Sequence, residues 1–343
     1  LNRYLMSDIK GKRIAIIGGT GFIGHHMALE MKAQGAEVHV IDSLNVNSML
    51  FLYSDNCPLE ERKLYREMIT SRLDLLEANN IPIHIQDARN YHGLSKTLTS
   101  IKPEIIVHLA AVAHANRSNK DPFTTFDHSL RTLENALDYA RGIDLEHFVF
   151  YSSSMVYGNF TSGEVTEDTE CNPLGIYGAL KFAGEKLVIA YNQVFDLPYT
   201  IIRPSALYGE RCISRRVNQI FIEKAFENQT IQINGDGSDR LDFTYIKDLV
   251  QGTILAILKE KGKNEIFNLT YGSSRSLAEV VEILKTQFDQ MDIEYLAKDK
   301  LMPDRGTLCV DKAKEFLGYD PQYPIEQGLI DYVNWYKSFL KKS

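Results

Sequence analysis

Tyr177 and Lys181 stand four residues apart in a stretch whose apolar residues recur with helical spacing. On an α-helix this spacing places the phenol and the ammonium on one face, with their Cβ atoms about 5–6 Å apart. A neighbouring cation lowers the pKa of a phenol, which can then act as a base near neutral pH. Three serines, Ser152 to Ser154, precede the pair. These residue types and their spacing predict a site of proton transfer.

Glycines recur at Gly18, Gly21 and Gly24, after a short apolar stretch and at the start of a helical pattern. Such a pattern allows a tight turn and a close approach of a pyrophosphate to backbone N–H groups at a helix N-terminus. Asp42, at the end of the next predicted strand, can accept a hydrogen bond from a ribose 2′-hydroxyl and would repel a 2′-phosphate. The sequence therefore predicts NAD rather than NADP and, with the Tyr–Lys pair, an enzyme that moves a hydride.

Strands and helices alternate through the first two hundred residues. The segments Arg13 to Ile17, Phe22 to Gln34 and Glu37 to Ile41 form a predicted βαβ unit. A helix is predicted over Pro58 to Asn79. Further strands are predicted at Ile81 to Ile85, Ile105 to His108 and His147 to Tyr151, and further helices at Phe123 to Ala140 and Tyr177 to Phe195. Such alternation predicts an α/β fold with a doubly wound parallel sheet of the Rossmann type.

From Tyr199 onward the pattern becomes irregular, with short strands, turns and late helices at Leu277 to Asp289 and Ile325 to Leu340. This part predicts a smaller C-terminal α/β lobe that closes over the cofactor. We therefore expect a cofactor domain over residues 10–200 and a substrate domain over residues 201–343, with some elements crossing back to the first.

Composition limits the possible partners. The chain has 343 residues, 44% of them hydrophobic, and a formal net charge of −7. It has no basic surplus for nucleic acid and no apolar run long enough to span a bilayer, so neither a nucleic acid nor a membrane is expected as a partner. The widely separated cysteines have no metal-ligand spacing and favour reduced thiols in the cytoplasm. They are Cys57, Cys171, Cys212 and Cys309.

The order of these motifs resembles the extended short-chain dehydrogenase/reductase family, in its nucleotide-sugar epimerase and dehydratase branch. The matching segments are the glycine run, Asp42, His108 to Ala111, Ser152 to Gly158, the Tyr177–Lys181 pair and Arg203–Pro204. The resemblance implies a Rossmann domain that holds NAD, a smaller domain that holds a nucleotide sugar, and a homodimer formed through two helices per subunit. The apolar-rich helices predicted at Phe123 to Ala140 and Tyr177 to Phe195 fit that dimer.

By the same resemblance, Tyr177 is the expected catalytic base, and Lys181 lowers its pKa and holds the nicotinamide ribose. Ser153, four residues before Tyr157, is expected to hydrogen-bond the reacting hydroxyl. Asp87 matches the acid near adenine in this family. The other expected cofactor contacts are Phe22, Ile23, Ser43, Ala88, Leu109, Ala110, Ala111 and Pro204.

Two residues depart from the pattern of the family's dehydratases and decarboxylases. Ser154 and Met155 stand where dehydratases carry an Asp–Glu pair, and decarboxylases carry an acid at the position of Met155. Neither side chain can replace these acids, so both reactions are disfavoured. The predicted reaction is epimerisation at C4 through a 4-keto sugar. A nucleotide-sugar 4-dehydrogenase or ketosugar reductase is the alternative, and the intact Ser153, Tyr177 and Lys181 set speaks against a non-catalytic NAD-binding regulator.

Three more residues depart from the family pattern: Ser129 in the dimer-helix motif, and Ala206 and Leu241 in the substrate lobe, whose diphosphate contacts must therefore differ in detail. Arginine suits diphosphate recognition because its planar fork binds two oxygens at once. The cations available in this lobe are Arg215, Arg216, Arg240 and Arg305. The predicted substrate contacts are Ser153, Ser154, Arg216, Arg240 and Arg305.

Overall fold

A computed structural model describes residues 9–45, 49, 52, 59–112, 115–161, 163–297 and 303–341. Its centre is a seven-stranded sheet. The strands are β1 Arg13–Ile17, β2 Glu37–Asp42, β3 Ile83–Ile85, β4 Ile105–His108, β5 His147–Tyr151, β7 Tyr199–Arg203 and β12 Glu265–Asn268. Their order in the sheet is β12-β7-β5-β4-β1-β2-β3, and every neighbouring pair is parallel. This order is that of a doubly wound Rossmann sheet extended by one strand, which confirms the predicted fold class.

Helices cover both faces of this sheet, and adjacent residues of β1 explain why. Ile14 and Ile16 belong to one hydrophobic core and Ala15 and Ile17 to the other, because successive side chains of a strand point to opposite faces. The helices are α1 Phe22–Ala33, α2 Leu59–Ala78, α3 Tyr91–Ile101, α4 Ala115–Lys120, α5 Pro122–Phe126, α6 Thr132–Ala140, α7 Gly175–Phe195, α8 Val217–Phe226, α9 Ile246–Leu258, α10 Leu277–Lys285, α11 Asp311–Leu317 and α12 Ile325–Leu340. No helix in the described ranges combines the length and apolarity that a bilayer span requires.

The predicted elements differ from the observed ones mainly at their ends. The helix predicted from Phe123 to Ala140 is interrupted by a π-helical turn at Asp127–Arg131, between α5 and α6. A 3-10 turn at Ser154–Tyr157 follows β5, and a second one at Glu260–Gly262 follows α9. Cys57 and Pro58, which figured in the sequence predictions, lie outside the described residues.

The C-terminal part of the chain builds a lobe from short paired strands and returns to the main sheet. Its β12 pairs in parallel with β7, whose residues span the expected boundary at 200/201, so the boundary itself stays a prediction. The short strands are β6 Glu164–Val165, β8 Leu207–Tyr208, β9 Ile231–Asn234, β10 Arg240–Leu241, β11 Thr244–Tyr245, β13 Arg275–Ser276, β14 Ile293–Leu296 and β15 Thr307–Leu308. The ends of β1, β5 and β7 face this lobe across a cleft.

Candidate active site

The glycine turn between β1 and α1 has no room for side chains at two of its positions. Gly18 has a φ of +86°, and a Cβ there would lie 2.8 Å from the backbone nitrogen of Ala110. A Cβ on Gly24 would lie 2.5 Å from the Cα of Gly19. Gly21 stands at the N-terminal boundary of the 12-residue helix α1, whose free N–H groups favour an anion. The cradle fits the pyrophosphate of a dinucleotide.

Asp42 is tied to this turn by the backbone. Its Oδ2 accepts from the N–H of Thr20 at 3.1 Å, and its Oδ1 accepts from the N–H of Leu44 at 2.9 Å. A carboxylate has about four lone-pair sites, so capacity remains for a ribose hydroxyl. The acid therefore both shapes the glycine turn and stays available to the cofactor, with Ser43 beside it.

Asp87 follows β3, as the sequence predicts, but it is already engaged. Its carboxylate accepts from Arg89, with Nη2 and Oδ2 2.6 Å apart, and Arg89 also reaches Asp127 at 3.1 Å. This hydrogen bond to Arg89 holds the pKa of Asp87 below its usual range. Asn135 donates to the carbonyl oxygen of Ala88 at 2.8 Å. These contacts fix the loop between β3 and α3, and an adenine contact of Asp87 stays a prediction.

Ser153 and Tyr177 meet where β5 ends beside the first turn of α7. Ser153 caps the 3-10 turn, its Oγ accepting from the N–H of Met155 at 3.2 Å, and the same side chain lies close enough to Tyr177 to oppose the rise in the pKa of that phenol. Both residues line a cavity of about 340 Å³ between the two parts of the chain. The structure thus brings together the serine and the tyrosine that the sequence places at the reaction.

The electrostatic environment of Tyr177 differs from the expected one. Burial raises the pKa of Tyr177, and Arg216, Ser153 and Arg305 oppose that rise. Lys181 instead donates to the carbonyl oxygen of Tyr151 at 2.7 Å, and burial lowers its own pKa to about 8. In this structure Arg216 and Arg305 are therefore the cations that oppose the rise in the pKa of Tyr177, an effect that the helical spacing predicts for Lys181. Ribose binding by Lys181 stays a prediction.

A buried ion pair fixes α7, the helix that carries Tyr177 and Lys181. Glu185 accepts from Arg203 at 2.7 and 2.9 Å, and the two side chains are 1% and 3% exposed. Arg203 also donates to the hydroxyl of Tyr157 at 2.9 Å. The pair joins α7 to β7 and to the 3-10 turn, so Arg203 positions the catalytic helix and does not itself line the cavity.

Several polar atoms of the cavity wall lack partners among the described residues. Ser152 Oγ, both amide atoms of Asn218 and the Nε atoms of Arg216 and Arg305 are buried and form no hydrogen bond in the described part of the chain. Buried polar atoms are nearly always paired in native proteins, so such a cluster indicates that a polar ligand completes it. Sequence reasoning missed Asn218, although it follows Arg216 by only two residues in the first turn of α8.

The other predicted contacts divide between the cavity and its surroundings. Arg240 does not line the described cavity; it donates to Ser274 at 3.1 Å and pairs with Glu279 at 3.2 Å. Its role in substrate binding stays a prediction. Phe22 and Ala88 are buried in the hydrophobic cores. Of the predicted residues, the cavity wall includes Ile23, Leu109, Ala111, Ser153, Ser154, Tyr177, Lys181, Pro204, Arg216 and Arg305.

Comparisons with known proteins show which family the chain matches. Residues 14–270 match the family described as NAD dependent epimerase/dehydratase. A putative UDP-glucose 4-epimerase of Methanocaldococcus jannaschii is 27% identical over 95% of this chain and 98% of its own length. A dTDP-glucose 4,6-dehydratase of Xanthomonas campestris is 26% identical over 94% of this chain and 92% of its own length.

A solved structure of an epimerase resembles this chain over nearly its whole length. The UDP-glucuronic acid 4-epimerase from Bacillus cereus, in complex with UDP-glucuronic acid and NAD, superposes with a TM-score of 0.83 at 27% identity. The match covers 95% of this chain and 99% of that one. The predicted cofactor, NAD, is confirmed by the family and by such neighbours.

Proposed function

Because the chain belongs to the NAD-dependent epimerase/dehydratase family, we propose that it inverts the configuration at C4 of a nucleotide sugar. One observation carries the choice of reaction within the family. None of the described residues that line the cavity is an acid or a cysteine. Removing water, or exchanging a proton at a ring carbon, needs such a group close to the sugar. Oxidation and reduction of a hydroxyl needs only a group that moves the hydroxyl proton.

In the proposed reaction, Tyr177 takes the proton of the C4 hydroxyl and later returns it. Ser153, which lines the cavity beside Tyr177, holds that hydroxyl in place. NAD held at the glycine turn between β1 and α1 would supply the hydride acceptor for C4 and the hydride donor to the opposite face of the oxidised sugar. Lys181 keeps N–H groups beyond the one donated to Tyr151, and these can hold a ribose hydroxyl. The positive charges of Arg216 and Arg305 favour the ionised form of the Tyr177 phenol.

Substitution of the tyrosine tests the site. Tyr177→Phe should lower kcat by about a thousandfold or more, because positioned acid–base catalysis contributes factors of this order. NAD released on denaturing the purified protein should stay equimolar. Tyr191→Phe, on the same helix but outside the cavity wall, is the matched control and should keep the wild-type rate. Turnover of Tyr177→Phe within tenfold of wild type would rule out the phenol as the base.

The product tests the reaction type. UDP-, dTDP- and GDP-linked hexoses and hexuronates, incubated with catalytic NAD, should give C4 epimers that keep the substrate's C4 hydrogen, as read by deuterium labelling. Stoichiometric NADH would assign the protein to the 4-dehydrogenases or ketosugar reductases. A product lighter by one water, or by carbon dioxide, would overturn the proposed epimerisation.

We also propose a homodimer through α5, α6 and α7. Phe123 and Phe126 on α5, and Val194 and Phe195 near the end of α7, are large apolar side chains exposed on these helices. Burying them in a second copy would remove this apolar surface from water. Sedimentation analysis should show twice the chain mass, and a double Phe123→Glu/Val194→Glu variant should be monomeric.

A cytoplasmic location is likewise proposed, since Cys171, Cys212 and Cys309 form no disulfide among the described residues.

A further inference from the structure

Arg305 is a cation in the cavity wall whose hydrogen-bond partners are all neutral. One of its Nη atoms donates to the hydroxyls of Ser154 and Ser205, the latter at 3.2 Å, and the other lies against the Sδ of Met155. Its guanidinium also stacks over the ring of Phe160, at 5.4 Å from the centroid. Its Nε is buried and has no partner in the described ranges.

No ion pair of the described residues neutralises Arg305. Burial lowers its pKa to about 10, so it remains protonated at neutral pH. Asp242 lies close enough to oppose that shift, but its own carboxylate accepts from Thr270 at 2.9 Å and from the N–H of Leu308 at 3.0 Å. The guanidinium is partly withdrawn from water and has no ionic partner there, which is unfavourable, and a bound anion would offset that cost.

The position of Arg305 identifies which part of a nucleotide sugar it faces. It is hydrogen-bonded to Ser154, next to Ser153, it lines the same cavity as Tyr177, and its charge opposes the burial that raises the pKa of Tyr177, so it lies beside the proposed position of the reacting hydroxyl. In a pyranose, C1 with its diphosphate lies across the ring from C4. The substituents next to C4 are those on C3 and C5. Of these, the C6 group on C5 becomes a carboxylate by oxidation of the sugar itself, whereas a carboxylate at C3 requires an added acidic ether.

We propose that Arg305 binds a C6 carboxylate, and that the substrate is therefore a nucleotide hexuronate. This inference rests on the proposed epimerisation at C4. A guanidinium fork can hold both carboxylate oxygens, and the hydroxyl of Ser154 stands beside it as a further donor. Arg215 and Arg216, at the start of α8, are then the cations of the cavity that remain for the diphosphate.

Paired ligands that differ only at C6 test the inference. UDP-glucuronate and UDP-glucose, dTDP-glucuronate and dTDP-glucose, and GDP-mannuronate and GDP-mannose are titrated into NAD-loaded protein by calorimetry. Wild type should bind the uronate of at least one pair about thirtyfold or more tighter, the range of a hydrogen-bonded charge pair. Arg305→Met should weaken uronate binding by about that factor and leave hexose binding within threefold.

Control variants separate Arg305 from the other arginines. Arg275→Met removes an arginine that pairs with Glu326 outside the cavity wall, and it should keep the wild-type preference. Arg305→Lys keeps the charge without the fork, and it should lose about tenfold in uronate affinity, which gives a second reading if Arg305→Met does not fold. Arg216→Met should weaken uronate and hexose equally. If Arg216→Met alone abolished the preference, the carboxylate would belong to Arg216 and the proposal would fall.

The outcomes for the two proposals are distinct. Equal binding of uronate and hexose, or binding of neither, in all three pairs overturns the carboxylate site. If C4 epimers still form from neutral hexoses, the proposed function survives that result. A uronate preference lost in Arg305→Met, without any epimer formed, would support the carboxylate site and overturn the epimerisation.

Discussion

Two arginines near α7 differ in what faces them: Arg203 is buried, and Arg305 is partly buried in the cavity wall. Arg203 meets the carboxylate of Glu185 through two hydrogen bonds, and although burial opposes it, this acid raises the pKa of Arg203 above its ordinary value. Arg305 meets two serine hydroxyls and a thioether, and burial lowers its pKa. One cation is neutralised within the chain, and the other is held by neutral partners and keeps its charge.

The difference distinguishes an arginine that fixes the position of a helix from one that can bind a ligand. A buried ion pair with both partners in the chain holds two elements together, here α7 and β7, and it leaves little charge for a ligand. A partly buried cation that donates only to neutral acceptors keeps a net positive charge at a fixed position, where it can bind an anion. Preorganised charge of this kind binds an anion with little reorganisation.

The largest expected effect is on stability, and it separates the two arginines directly. Arg203→Met leaves the carboxylate of Glu185 buried and unpaired, and it should lower the free energy of unfolding by about 3–5 kcal/mol. Arg305→Met removes an uncompensated charge, and it should change that free energy by less than about 1 kcal/mol in the absence of nucleotide sugar. Urea unfolding of the two variants measures this.

A double variant checks the cause. Arg203→Met combined with Glu185→Leu removes both charges and should recover most of the lost stability, since well-packed apolar replacements of buried ion pairs are often neutral. If Arg305→Met destabilised the protein as much as Arg203→Met, Arg305 would be a structural residue and the distinction would fail.

The next largest effect is expected on hexuronate affinity when Arg305 is given a carboxylate partner. Ser154→Asp places a carboxylate beside the guanidinium, so Arg305 would resemble Arg203, and hexuronate affinity should fall about thirtyfold. Ser154→Asn, which is similar in size but neutral, is the matched control and should lose less than about fivefold. Calorimetry with UDP-glucuronate measures both. Equal affinities of the Asp and Asn variants would show that the charge on Arg305 does not face the sugar.

The sequence predicted well those features that lie within short segments. Gly18 and Asp42 belong to one βαβ unit, whose geometry follows from strand and helix periods, and both are where that unit places them. Ser153 and Tyr177 were identified through local motifs, and the sheet brings their two elements together. Regular periods of apolar residues likewise predicted the doubly wound sheet.

Contacts between distant segments could not be predicted in this way. The sequence did not show that a loop carries Arg305 to Ser154 and Ser205, or that Arg240 pairs with Glu279 of α10, and the substrate contacts of both arginines stay predictions. Helical spacing put Lys181 beside Tyr177 without revealing that a strand-end carbonyl holds its ammonium. Each of these depends on side-chain direction and loop path, for which a sequence has no short-range signal.

The smallest expected effect concerns Asp242, the acid that could make Arg305 resemble Arg203. Burial raises the pKa of Asp242 to about 6, above that of an unfolded aspartate. Between about pH 4 and 6 the native state then holds a proton that the unfolded state does not, so this group's contribution to stability falls as pH rises through that window and is flat above it. Relative to Asp242→Asn, wild type should therefore lose about 1 kcal/mol of unfolding free energy between pH 5 and pH 7. Urea unfolding at the two pH values measures the difference. If Asp242 were instead the partner of Arg305, its pKa would lie below the unfolded value, wild type would gain stability relative to the variant as pH rises, and the contrast between the two arginines would disappear.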